Sequence, residues 1–152
     1  MTSKEFRKYL QSKQEEIKKA MEETIPKKAA NKAVLHFKKS FQDEGFTDNN
    51  LEKWQEVKRC ENPKRADLAK AKLPVLTGTG DLGRSIKATT EPGKVTITSD
   101  LPYSSAHNEG TNNAGRNRNV VIPKRQFIGE SETLNKEIEK VIVDELSKIL
   151  KK

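Results

Sequence analysis

Apolar positions near the N-terminus recur every three or four residues. Phe6, Leu10, Ile17, Met21 and Thr24 share one helical stripe, which Lys13 interrupts. The spacing predicts an amphipathic helix of about 20 residues that Pro26 brings to an end, since the residue before a proline avoids helical geometry. A second stripe follows in Ala30, Ala33, Val34, Phe37 and Phe41, with Gly45 as its stop signal. Residues 1–43 thus form a helical region, either a hairpin of two helices or one long kinked helix. From 44 to 80 the periodicity vanishes. This polar excursion holds the single tryptophan, Trp54, and suggests one short helix around Arg65–Ala71.

Beyond Asp81 the period shortens to two. "SIKATT" and "KVTITS" are β-prone runs joined by "EPGK", where Pro92 sets φ and Gly93 tolerates a positive φ. Ile86 alternates with Ala88 and Val95 with Ile97, so this hairpin has one apolar face that another element must cover. "NVVIP" supplies a further strand. Ser131 then caps a helix with Leu134, Ile138, Val141, Ile142, Leu146, Ile149 and Leu150 on one side. The expected fold is α+β: a small antiparallel sheet (hairpin about 85–99 plus strand about 119–123) packed by the N-terminal helices and the C-terminal helix. With 152 residues the chain has room for one such domain, 1–152.

Composition narrows the class. The chain is 32% hydrophobic, 34% charged and carries a net charge of +8. Segments 1–43, 58–72 and 111–125 are basic while 44–57 is acidic, a distribution that suits polyanions or, for the Lys/Glu-rich first segment, a solvated helix face. No apolar run approaches the ~18–20 residues of a membrane span, and the N-terminus lacks a secretory apolar region, so synthesis in the cytoplasm is the simplest expectation. One cysteine, Cys60, cannot close an internal disulfide, and no Cys/His set has metal-ligand spacing, so neither a metal nor another cofactor is expected.

Three stretches invite chemical tests. In "LPYSSAHNEGT" Pro102 and Gly110 bracket a short helix on which Tyr103, Ala106, His107 and Gly110 share a face. His107 with Glu109 would be a general base and its orienting acid, but residues two apart on a helix diverge. Ser104 and Ser105 lie outside any nucleophile elbow. The ring residues are therefore expected to pack or to hydrogen-bond within the fold, and His36 beside Phe37 likewise. "LTGTGDLGRSI" spaces Gly78, Gly80 and Gly83 as a phosphate-cradling fingerprint would, without the flanking buried strand and long helix that motif needs. A turn at Gly78, a cap at Asp81 and one helical turn with Leu82 and Ile86 inward fits better. "TNNAGRNRN" offers Arg116 and Arg118 to a nucleic-acid backbone but no aromatic ring to stack on bases, and otherwise reads as a mobile basic loop.

Four landmarks occur in order: Trp54 in "LEKWQEVKR"; "LTGTGDLGRSI" with Gly78, Leu82, Ser85 and Ile86; "YSSAHNEG" with Tyr103, His107 and Gly110; and "IPKRQFIG" with Pro123, Phe127 and Gly129. The succession resembles the tailed-bacteriophage virion morphogenesis family, the tail-completion proteins of Mu-like phages. The chain departs from the family pattern in an extra Thr-Gly before Asp81, in Ser104 where alanine is commoner, and in Asn108-Glu109 before Gly110. The resemblance implies a structural part of a virion of a tailed phage or prophage and not an enzyme. Such a part is made in the bacterial host cytoplasm and completes the tail or the head–tail neck, with tail-tube and head-connector proteins as partners and a homo-oligomeric ring, a hexamer, as the working form. Arg116, Arg118, Lys124 and Arg125 are then the candidates for assembly contacts or for non-specific contact with passing DNA, Arg125 having the alternative of holding a carboxylate within the fold. A general basic nucleic-acid-binding protein is the competing reading, and a small hydrolase built on His107 a distant third.

Overall fold

A computed structural model describes residues 1–57 and 73–151. The short helix expected around Arg65–Ala71, the basic segment 58–72 and Cys60 lie outside the described residues. Helix α1 (Ser3–Lys19) opens with a reciprocal cap: Thr2 Oγ1 accepts from the Glu5 amide, and the Glu5 carboxylate accepts from the Thr2 amide at 2.6 Å. It runs through a π-helical turn (Ala20–Thr24) straight into α2 (Ile25–Asp43). The expectation that Pro26 ends the first helix is therefore corrected. The wider turn, in which the Ile25 amide reaches back five residues to the Ala20 carbonyl, makes room for a ring that cannot donate and would crowd an ordinary α-turn.

The end of α2 is also set differently from the sequence expectation. Glu44, not Gly45, takes the left-handed conformation (φ 49°) and caps through its amide to the Ser40 carbonyl. Gly45 matters for closeness instead: a Cβ there would stand 2.4 Å from the Glu52 carbonyl oxygen, across the pair β1 (Gly45–Thr47) and β2 (Leu51–Lys53). After the excursion come α3 (Asp81–Arg84), the hairpin of β3 (Ile86–Glu91) and β4 (Lys94–Ser99), α4 (Ser104–Glu109), β5 (Thr111–Ala114), β6 (Val120–Ile122) and α5 (Glu132–Leu150).

The fold is α+β with helices at both ends, as expected. The hairpin pairs Ile86 with Ser99 through to Glu91 with Lys94, turns at Pro92-Gly93, and sets its apolar side against α2. The strand expected near 119–123 is present as β6 but does not extend this hairpin. It pairs with β5 across a turn at Gly115–Arg118, so the described strands make three two-stranded sheets. The first half of "TNNAGRNRN" is thus a strand and not a loop, because a four-residue turn with Gly115 at φ 80° brings its partner within reach at little entropic cost.

Ala33, Phe37 and Phe41 of α2 meet Phe46, Trp54, Val75, Leu82, Ile86, Phe127 and Leu134 in the core. Helix α5 lies against α2 and α1 and runs opposite to them. At its start Ser131 Oγ accepts from the Leu134 amide and donates to the Thr47 carbonyl, while Asp48 receives the Glu132 amide at 2.8 Å. Lys28 pairs with Glu145 halfway along, and at the far end Lys13 Nζ donates to the Ile149 carbonyl, 2.7 Å away. Among the described residues no helix is long and apolar enough to cross a membrane.

Candidate functional site

The four landmarks, dispersed over 76 residues of chain from Trp54 to Gly129, meet at one irregular loop, 123–129. Phe127 sits at its centre with no exposed surface, 5.2 Å between ring centroids from Phe41 of α2. Phe41 in turn stands edge-on to Trp54, whose indole Nε1 donates to the Gln126 carbonyl at 2.8 Å. A loop has no ladder of its own to satisfy its amides, so side chains must do it. Asn108 of α4 does most of this: its Oδ1 accepts from both the Phe127 and Ile128 amides at 2.9 Å, and its Nδ2 donates to the Ile128 carbonyl at 3.0 Å.

Arg125 is buried. Its guanidinium donates to the Gln55 and Glu56 carbonyls (3.0 and 3.2 Å), and its amide donates to the His107 carbonyl at 2.8 Å. It ties the tryptophan segment to α4 and does not stand on the surface with the other three basic candidates. Gly110 is required where α4 ends: its φ is 76°, and a Cβ would lie 2.7 Å from the Lys124 amide nitrogen. Ser85, just after α3, donates to the Leu82 carbonyl or binds Ser99 Oγ at 2.6 Å, and Ser99 binds Ser104, so three hydroxyls close the seam between α3, β4 and α4. Leu82 and Ile86 are buried beneath it.

His107 lies on the edge of this arrangement. Its ring stands edge-on to Tyr103 at 6.0 Å, and the two side chains, with Leu76 and Gly78–Leu82, line a shallow cleft of ≈ 180 Å³. Nδ1 is buried and has no hydrogen-bond partner among the described residues. Burial first, and the positive charge of Arg125 second, hold the imidazole below its usual pKa, so the ring is kept neutral. Glu109 is exposed and does not orient it. Asp81, the carboxylate in the cleft, is occupied by Thr79 and Arg84 at 2.5 Å each. The N-cap position of α3 belongs to Gly80, not to Asp81, which sits in the first turn. Ser104 is bound to Ser99 and not to His107. A general base with an orienting acid is therefore not assembled here from the described residues. Nor do the described residues hold a cluster of three or more His, Cys, Asp or Glu that could take a metal.

The remaining candidates are dispersed. Gly78 and Tyr103 are exposed, and Pro123 and Gly129 are half-buried in the loop. Arg116 and Arg118 stand exposed in the β5–β6 turn, and Lys124 is exposed at its base. Sequence reasoning missed Asn108, which appeared there only as a departure from a family pattern. Its partners, the amides of Phe127 and Ile128, lie 19 and 20 residues further along the chain, so nothing local marks it.

Taken together, Trp54, Leu82, Ser85, Ile86 and Phe127 build the interior of a helix-and-sheet fold, while Gly78 and Tyr103 stay exposed. The sequence model of the phage virion morphogenesis family matches residues 52–147. The chain belongs to that family, which is one of virion structure and assembly. No curated protein and no solved structure gives a match. The matched region covers all four landmarks and leaves α1 and α2 outside it.

Proposed function

We propose that the protein completes the tail or the head–tail neck of a tailed phage or prophage, docking between tail-tube and head-connector proteins as a component of a homo-oligomeric ring. The observation that carries this reading is the convergence of Trp54, Leu82, Ile86 and Phe127, all residues of the family landmarks, on one buried cluster: among the described residues they hold a shape and assemble no catalytic centre. On this reading the protein is not an enzyme, is made in the bacterial host cytoplasm and ends in the virion. The test is deletion of the gene from an inducible phage and complementation in trans. Without it, filled heads and unfinished or unjoined tails accumulate; His107→Gln restores infectious particles. Complete virions from the deletion would refute the role, and a folded His107→Gln protein that fails to complement would point back to chemistry at the imidazole.

Arg116 and Arg118, exposed at a hairpin tip with Lys124 below them, favour one second reading, binding to a nucleic-acid backbone. Binding by the isolated chain should then weaken with salt, with a logarithmic slope of about 0.9 per neutralised phosphate. Tight binding by a monomer at physiological salt would put this reading first.

A further inference from the structure

The apolar stripe of α1 continues past the element that covers it. Lys13 and Ala20 are buried and Ile17 half-buried where α1 meets the C-terminal end of α5. One and two turns nearer the N-terminus the stripe carries Leu10 and Phe6, 49% and 50% exposed, with Tyr9 beside them. A capped helix with a bare aromatic face in water is a surface lacking its cover. Its rim is basic: Lys4, Arg7 and Lys8 are exposed, and the one nearby acid, Glu5, is turned back into the cap on Thr2.

The far end of the long helix has the opposite character. All three residues of β2 are exposed, with Leu51 an apolar knob between the turn and Glu52. Glu56 is exposed just beyond, and Glu130 and Glu132 are exposed where Ser131 and Asp48 pin the start of α5 to this end. The basic residue of the strand, Lys53, is folded back onto the Asp43 carbonyl.

We infer that these two ends are the halves of one contact: the α1 face of one copy seats on the acidic β1–β2 end of a second copy, head to tail. Charge selects this occupant. Pairing α1 with another α1 would set Arg7 and Lys8 against their like, whereas the β1–β2 end supplies an apolar knob among exposed acids. Such a contact leaves one free half on each outer copy, so it closes into a ring or runs on as a filament. The inference deepens the ring part of the proposed function and rests on it, but its test needs only the purified chain and fails separately from complementation.

The experiment is sedimentation velocity of the full chain over concentration and salt, with circular dichroism as the check on folding. The wild type should self-associate, less so as salt rises. Arg7→Glu/Lys8→Glu and Glu52→Lys/Glu56→Lys should each weaken association roughly tenfold or more. Mixing the two should restore it, because each variant keeps the half the other lacks. A monomer at every concentration overturns the inference, as does assembly of both variants like the wild type. If only the α1 variant dissociates and mixing rescues nothing, α1 meets itself and the head-to-tail contact is wrong. Should a charge-reversed chain lose its helical signal, Leu10→Ser and Leu51→Ser replace the pair with the same expectations.

Discussion

Helix α1 has a reciprocal cap, an unbroken ladder and a clean amphipathic stripe, yet among its 17 residues the one buried side chain is Lys13. Loop 123–129 has no regular structure, yet it holds Phe127, which has no exposed surface, and the buried Arg125. The contrast separates two things that are easily merged. A helix satisfies its own backbone between its ends; a loop cannot, and holds its shape because Asn108, Trp54 and the His107 carbonyl give its amides and carbonyls partners. In this molecule regular secondary structure and burial do not go together: a bare helix turn and a buried loop stand in the same fold.

The comparison can be broken most severely at Phe127. Phe127→Ala should cost about 3–5 kcal/mol in urea unfolding, because it opens a void between Phe41 and the loop. A loss under about 1 kcal/mol would mean that the loop is not held from its centre. Next comes Asn108→Ala, which strips both amides of their acceptor and should destabilise by about 2–4 kcal/mol, with faster amide exchange at Phe127 and Ile128. Unchanged exchange at those two amides would contradict the clamp.

A smaller effect is expected from pH. Burial, then Arg125, lower the folded pKa of His107 beneath its unfolded value, so the neutral ring's contribution is complete above about pH 6.5 and is lost as pH falls below that. The measurement is the difference between wild type and His107→Gln. The variant should lose less stability than the wild type between pH 7 and pH 5, and parallel profiles would remove His107 from the packed seam. Smallest of all is Leu10→Ser on bare α1, expected within about 0.5 kcal/mol for a dilute monomer. A cost of 2 kcal/mol there would show that α1 is already covered, and with it would end the comparison.

Much of this was legible in the residues. The stripes of α1 and α2, the hairpin with Gly93 at its turn, the short helix ending at Gly110 (though it starts at Ser104 and not at Pro102), and the Ser131 cap each follow from local rules that act within one or two turns of chain. The ordered landmarks carried the family. What local rules could not supply was any outcome decided by a distant atom. Pro26 does not stop the helix, because a π turn widens around it. Gly45 is needed for the approach of Glu52 and not as a cap. The strand at Val120–Ile122 takes β5 in place of the β3–β4 hairpin. Arg125 stood beside Lys124 in a basic run with two readings open, a surface contact or a role within the fold, and the carbonyls of Gln55 and Glu56, some seventy residues away, place it inside.

The sequence by itself determined where helices and strands form, which face of each is apolar and which family the chain belongs to, because those depend on spacing along a few residues. The tertiary structure alone decided which apolar faces are covered. It buried α2 and left the first turns of α1 bare, and it turned four dispersed motifs into one loop and its clamps. The reason is physical: a pattern specifies a surface that needs a partner, but the partner is chosen by packing and by the backbone groups that remain to be satisfied.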